Sequence, residues 1–331
     1  MRKTLRLATQ KLLLTFCAFL TLALPSCTNS QTKNRARIEI LSYSSMVGKG
    51  SLGEAIELEF EKKCLEIKPD TPNLRCDLVL LPEDGDSNLV ASFNRKASHI
   101  DGVLGLSELQ EKQVRHHPKF LRSTLFAHSP YAFIANTKLF PKNLWPKNWN
   151  EVPQKLEGKV FIQDPRISSA GIGLLKAIHL LKLISSADLK KITKKSFPSW
   201  SLSYNSFLKD EAPVVWSYQS SEAYHLCNLE GSDKGDSAFK AIPLEEGYPT
   251  QEEWLALSKN LNEIEAKLLE EAVLSDFVQK QIPLKNWMYP TSPSTSLPEC
   301  YKGLTPLKSL KVSVDQFDSR ILQNWLDQWS L

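Results

Sequence analysis

Once its first 26 residues are set aside, the chain carries no surplus of charge. That segment holds Arg2, Lys3, Arg6 and Lys11 and no acid, which leaves 41 − 4 = 37 basic residues against 37 acidic ones. Such a balance excludes the basic footprint of a nucleic-acid-binding protein. There is no Cys-x-x-Cys, so a zinc ribbon and a thioredoxin-like motif are unsupported. The histidines (His99, His116, His117, His128, His179 and His225) show no His-Glu-x-x-His or other recognisable metal spacing, and the adjacent pair His116–His117 reads as a solvated face. No Gly-x-Ser-x-Gly or Ser-x-x-Lys stands in a credible setting, so no catalytic nucleophile emerges. Repeats and low-complexity blocks are absent as well.

What is present at the start reads as an export signal. Basic residues precede the apolar run LLLTFCAFLTLAL (Leu12–Leu24), which is too short for a comfortable membrane-spanning helix and suits a signal-peptide core. The run leads into LPSC, ending at Cys27, which resembles a bacterial lipobox, although Pro25 is not the usual residue there. The expectation is a lipoprotein signal over 1–27 with Cys27 lipidated; a plain cleaved signal and an uncleaved anchor are the alternatives. Residues 28–37 form a polar tether. The protein is then placed in the periplasm or at the cell surface. Outside Cys17 and Cys27 four cysteines remain, and in an oxidising compartment Cys64 and Cys76 are the first candidate pair; buried free thiols are the alternative.

Short apolar, β-branched runs alternate with helical patterns along the rest of the chain. Strands are expected at Arg37–Tyr43, Cys76–Leu81, His99–Leu106, Tyr131–Asn136, Gly158–Gln163 and Pro213–Tyr218. Leu52–Cys64 reads as an amphipathic helix, Gln251–Val278 as a long helical stretch interrupted near Ser258–Asn260, and VDQFDSRILQNWLDQW as the last helix. Strands separated by helices imply an α/β protein with mainly parallel sheets. Pro141, Pro146 and Pro153 mark a connection between two halves.

Two motifs invite a ligand. GKGSLG (Gly48–Gly53) has the form Gly-x-Gly-x-x-Gly between a strand and a helix, with Glu83 or Asp84 near the end of the next strand. The acid lies later than the usual spacing, and an exported protein meets little dinucleotide, so a ligand-facing turn is the preferred reading over an exported NAD-dependent oxidoreductase. QDPRISSAGIGLLKAIHLL (Gln163–Leu181) places serines and small residues where an apolar helix begins, and helix N-termini hold anions through unpaired N–H groups. Aromatic residues also gather beside loops, at Trp200 and Tyr204, in WSYQSSEAYH and in IPLKNWMYP, where they could stack on a flat or cationic ligand or simply pack in a core.

Together, QDPRISSAGIGLL, WSLSYNSFLKDEAPVVWSYQSSEAYH (Trp200–His225) and QIPLKNWMYP (Gln281–Pro290) resemble the periplasmic thiamine-binding proteins of bacterial ABC importers. Weaker matches are SYSS (Ser42–Ser45), PEDGDS (Pro82–Ser87) and DGVLGL (Asp101–Leu106). The resemblance implies a two-lobed periplasmic-binding-protein fold of type II, with lobes joined by crossing hinge strands and ligand between them. Lobe 1 would take residues 38–130 and 245–300, lobe 2 residues 131–244, and 301–331 a C-terminal helical segment. It implies a binding protein rather than an enzyme, a monomer with no cofactor, working with a permease and its ATPase.

The resemblance also assigns roles. Ser168, Ser169 and the N–H groups through Gly171 would hold the phosphate of thiamine monophosphate or diphosphate, with Trp200, Tyr218 and Ser221 near that end. Tyr224 and Trp287 would line the cleft against the thiazolium cation, Tyr43 would stand on the first lobe, and Asp84 would pair with the aminopyrimidine. Departures fall on the first-lobe side or the hinge: Ser44 replaces an Asp, Val47–Gly50 replaces a stretch with a tryptophan, and Ala127, His128 and Ser129 replace Asp-Tyr-Gly. They leave open another ligand on the same fold, such as another phosphorylated cation, a phosphonate or ferric iron. Iron is disfavoured by the lack of a Tyr-Tyr pair. A lipid-anchored scaffold with no ligand is the remaining alternative.

Overall fold

The computed structural model describes residues 36–83, 89–228, 237–311 and 319–329. The export signal, Cys27 and most of the tether therefore lie outside the described residues, as does Asp84. Eleven strands form the sheet system: β1 (Arg37–Ser42), β2 (Asp77–Pro82), β3 (Gly102–Leu106), β4 (Phe120–Asn136), β5 (Val160–Gln163), β6 (Thr193–Phe197), β7 (Val214–Tyr218), β8 (Phe239–Ala241), β9 (Tyr248–Ser258), β10 (Tyr289–Pro290) and β11 (Ser309–Leu310). Helices α1 (Leu52–Ile67), α2 (Leu89–Lys96) and α3 (Glu108–Arg115) accompany the first strands. In the middle of the chain lie α4 (Val152–Lys155), α5 (Ser169–Leu175), α6 (Ser186–Ile192), α7 (Trp200–Phe207) and α8 (Ser220–Cys227). The chain continues through α9 (Glu263–Val273), α10 (Asp276–Gln279), α11 (Ile282–Lys285) and α12 (Ser319–Asp327).

The strand order is β2-β1-β3-β9-β4-β7-β5-β6. Its two ends are parallel: β1 pairs with β2 and β3, and β5 pairs with β6 and β7. The middle is antiparallel, because β9 runs against both β3 and β4, and β4 runs against β7. The expectation of mainly parallel sheets thus holds at the ends and fails at the centre. There β4 pairs with β9 from Phe120 to Pro130 and with β7 from Tyr131 to Ala135, passing from one half of the molecule to the other.

This crossing corrects the largest error of sequence reading. Residues 248–258 are a strand, not the start of a long helix. YPTQEEWLALS is buried on both faces, so the polar–apolar alternation that marks a half-exposed strand is missing, and its Gln-Glu-Glu run mimics a helix. The helix begins only at α9, where Asn262 accepts from the Glu265 N–H and the Glu265 side chain returns the bond. The other expected strands are found with shifted ends, and α1 runs three residues beyond Cys64.

Apolar residues gather on either side of the crossing. Ile38, Ile40, Phe60, Leu78, Leu104, Leu257 and Leu269 pack in one core. Phe133, Val160, Leu175, Val215, Trp216 and Tyr248 pack in another. Helix α12 presses Leu322 and Leu326 into the second core; residues 312–318, where the last helix was expected to begin, lie outside the described residues. Among the described residues two disulfides brace the fold. Cys64–Cys76 ties α1 to the approach of β2 (Cα–Cα 5.4 Å), and Cys227–Cys300 ties the end of α8 to residues 299–303 (Cα–Cα 5.1 Å). The second pairing was not foreseen, since 73 residues separate its members and nothing local joins them.

Candidate ligand-binding site

The serine segment sits where β5 hands over to α5. Ser168 takes an extended backbone (φ −104°, ψ 129°) just before the helix, and its hydroxyl makes no capping bond. The first-turn N–H groups of Ser169 and Ala170 have no intrahelical acceptor. Gly171 plays a different part from the expected one. Its N–H donates to the Ser168 carbonyl (3.0 Å). A Cβ there would lie 2.6 Å from the Gln163 carbonyl oxygen and from the Pro165 nitrogen, so glycine is what lets α5 approach β5.

Aromatic rings fix this helix start from below. Tyr131 donates to the Ser169 carbonyl (3.2 Å), and Trp216 Nε1 donates to the Ala170 carbonyl (3.0 Å). Tyr131 stacks between Trp216 and Tyr218, with centroids at 5.4 and 5.2 Å. Gly173 makes room for it, because a Cβ there would lie 2.5 Å from the Tyr131 ring. Trp200 Nε1 donates to Ser217 Oγ (2.7 Å), which shares a bond with Ser221 Oγ (2.7 Å). Burial and the negative charge of Glu253 push the Tyr218 hydroxyl up, whereas a hydrogen bond with Ser169 pulls it down.

On the first-lobe side, Tyr43 follows β1 and depends on Gly105. Gly105 adopts φ +93° at a register shift in β3, and a Cβ there would lie 2.3 Å from the Tyr43 ring. The Tyr43 hydroxyl reaches Asn286 Oδ1 (2.9 Å) and both carboxylate oxygens of Glu253 (3.2 and 3.1 Å). Asn286 Nδ2 donates to Glu253 (2.8 Å), and Gln251 accepts from Tyr131 (2.7 Å) and Tyr218 (2.9 Å). Trp287 then turns through a left-handed backbone (φ 52°), between Asn286 and the buried Met288. Its ring meets Tyr224 edge to face at 5.0 Å, and Tyr224 remains 41% exposed.

Of the expected site residues, Ser169, Tyr218 and Tyr43 share one hydrogen-bonded network, whereas Ser168 and Gly171 stand outside it. Ser169 joins Tyr218, Tyr218 donates to Gln251, Gln251 donates to Glu253, and Glu253 accepts from Tyr43 and Asn286. Trp287 and Tyr224 adjoin it through Asn286, and Tyr224 shares α8 with Ser221. Sequence reading missed Gln251, Glu253 and Asn286. The first two were hidden in a supposed helix; their i, i+2 spacing, which puts both on one face of a strand, was the available signal.

The helix start within GKGSLG already holds an acid of its own. Ser51 accepts from the Glu54 N–H (3.2 Å), and the Glu54 carboxylate accepts from the Gly50 N–H (2.6 Å), so an acid already occupies the N-terminus of α1. Among the described residues no cluster of three His, Cys, Asp or Glu could hold a metal.

A thiamine-binding periplasmic protein of Brucella abortus biovar 1 is 26% identical over 347 residues, covering 96% of this chain and 97% of that protein. One of Salmonella typhimurium is 28% identical over 326 residues, covering 88% and 92%. A solved periplasmic thiamin binding protein superposes with a TM-score of 0.70 at 25% identity, covering 88% of this chain and 95% of that one. The chain resembles the periplasmic thiamine-binding proteins along nearly its whole length. Its fold is the two-lobed type II periplasmic-binding-protein fold, with β4 and β9 as the crossing strands. The apo ferric ion-binding protein A of Pasteurella haemolytica shares that fold (TM-score 0.67, 13% identity, covering 88% and 96%). No family model matches the chain.

Proposed function

We propose that this protein is a substrate-binding lipoprotein of an ABC importer, which captures thiamine or a thiamine phosphate between its lobes and delivers it to a permease and its ATPase. The observation that carries this reading is the single hydrogen-bonded and aromatic arrangement that joins Ser169, Tyr218, Tyr43, Tyr224 and Trp287. It supplies aromatic faces for a thiazolium cation at one end and a hydroxyl-bearing helix start for a phosphate at the other. The likeness to thiamine-binding periplasmic proteins over most of the chain supports the same ligand. Catalysis and a cofactor are not needed: the work is done by ligand contacts that favour the closed state over the open one. Cys27 would carry the lipid, residues 28–37 would tether a monomer to its membrane, and the protein would act in the periplasm or at the cell surface.

Calorimetric titration of the soluble form beginning at Thr28, unfolded and refolded to remove carried ligand, tests the reading with thiamine, its monophosphate and its diphosphate. Submicromolar binding of at least one is expected. Ser169→Ala should weaken the phosphate esters by about 10- to 150-fold while leaving thiamine nearly unchanged, since a hydrogen bond to a charged group contributes roughly 1.5–3 kcal/mol. Failure to bind any of the three would remove thiamine as the ligand and leave the fold.

A further inference from the structure

Seven acids are buried among the described residues: Glu59, Asp101, Glu108, Glu111, Glu222, Glu253 and Glu265. Six of them face a cation. Lys62 and Lys63 flank Glu59, and Arg75 serves both Asp101 and Glu265. Lys176 serves Glu108, Arg115 serves Glu111, and Lys240 serves Glu222. Glu253 alone has only neutral partners, namely the Tyr43 hydroxyl, the Asn286 amide and, at 3.4 Å, the Gln251 amide. A buried carboxylate without a counter-charge is costly, and such a group persists where something supplies the missing charge.

The position of this carboxylate says what that something is. Glu253 stands on the crossing strand β9, inside the arrangement described above and 5% exposed. Its two nearest partners adjoin the aromatic pair and the surface: Tyr43 is half-buried, and Asn286 directly precedes Trp287, the ring that meets Tyr224. We propose that Glu253 is the counter-charge for the cationic group of the ligand and determines selectivity for it, with Tyr43 and Asn286 as positioning residues that fix the carboxylate. This rests on the small-cation reading of the site given above and extends it from aromatic faces to a charge.

Two buried groups near the site, Glu253 and Lys176, change charge near neutrality. Burial raises its carboxyl to about 7, against hydrogen bonds from Asn286, Tyr43 and Gln251 that lower it. Tyr43 after β1, Tyr131 on β4 and Tyr218 on β7 all face it, and burial holds each well above the ordinary tyrosine value. Lys176, beyond α5, is lowered by burial to about 7 against the raising charge of Glu252; it is bound to Glu108 and the Thr250 carbonyl, and the Glu253→Gln comparison separates its titration from that of Glu253. His128 on β4 lies opposite Glu252, stacks on Tyr289, and is lowered by burial and by Lys311.

The test measures the affinity of refolded protein for thiamine and for its neutral thiophene isostere, deazathiamine, at pH 8 and pH 5.5. Wild-type protein is expected to prefer thiamine at least tenfold at pH 8 and to lose about tenfold in thiamine affinity at pH 5.5, as the carboxylate takes up a proton. Glu253→Gln is expected to bring the preference below about threefold and to flatten the pH dependence, with the affinity for deazathiamine kept. A variant that keeps both the preference and the pH slope overturns the proposal while the thiamine reading stands. Wild-type protein that binds neither probe overturns the thiamine reading, and this proposal with it. Should Glu253→Gln fail to fold, the wild-type comparison decides alone: equal affinities for the two probes, or a flat pH profile, overturn the proposal.

Discussion

On the side of the second lobe the site rests on neutral groups. Tyr131, Trp216 and Tyr218 stack beneath α5, and their hydroxyl and indole groups end on carbonyls or on Gln251. On the side of the first lobe it rests on an acid, Glu253, steered by Tyr43 and Asn286. The two sides meet two residues apart on β9, where Gln251 answers the neutral side and Glu253 the acidic one. A ligand with a phosphate at one end and a cation at the other would find each end matched. Under the proposal made for Glu253, the departures from the thiamine-binding pattern fall where another acid is at hand. Ser44 and Val47–Gly50 lie on the first-lobe side, where Glu253 supplies an acid from a different strand.

Three experiments would break or sharpen this contrast, and the largest effect concerns its covalent brace. Replacing Cys227 and Cys300 by serine should lower stability by about 4 kcal/mol, against about 3 kcal/mol for Cys64 and Cys76, because the closed loops span 73 and 12 residues. Urea unfolding measures both. Only the first pair carries a site residue on a braced element, since Cys227 ends the helix that bears Tyr224, so only its loss should also weaken thiamine binding. Equal effects on binding from the two pairs would erase the distinction.

The second effect is the pH dependence of stability in ligand-free protein. Glu253 is raised to about 7 in the fold from an ordinary value near 4.5, so the unfolded chain releases this proton first. Its contribution to stability is complete below pH 4.5 and fades as pH rises to 7, by about 3 kcal/mol. Thermal unfolding of wild type and Glu253→Gln across that window measures it; the variant should lack this component. A wild-type component of the opposite sign would mean that a cation of the protein already neutralises the acid.

The smallest effect belongs to the aromatic wall. Trp287→Ala should weaken thiamine by roughly 2- to 30-fold, the range that one cation–π contact of about 0.5–2 kcal/mol allows. The loss should be the same for thiamine and its phosphates, unlike that of Ser169→Ala. A loss confined to the phosphate esters would place Trp287 on the other side of the contrast.

Much of this was legible in the chain. β1, β2, β5 and β7 announce themselves by β-branched apolar runs, and Ser51, with Glu54 three residues on, marks the start of α1. Motif resemblance points to Trp287, Tyr224, Ser169 and Tyr43 as candidates; in the fold Tyr43 and Ser169 share a hydrogen-bonded network, and Trp287 meets Tyr224. Three features were not legible. β9 is buried on both faces and lost its alternation. The pairing of Cys227 with Cys300 depends on where α8 and residues 299–303 meet. The isolation of Glu253 is a fact about six other acids and their partners, which no local pattern can express.

The left-handed backbone of Trp287 sets folding and recognition at odds. An L-residue in that region loses about 1–2 kcal/mol that glycine does not. Under selection for folding alone, position 287 would drift toward glycine or asparagine; under selection for ligand it would return to a large ring. A library at this one codon, sorted once for soluble expression and once for ligand retention, should therefore yield two different winners. The gap between them measures how much stability the protein forgoes to keep its wall.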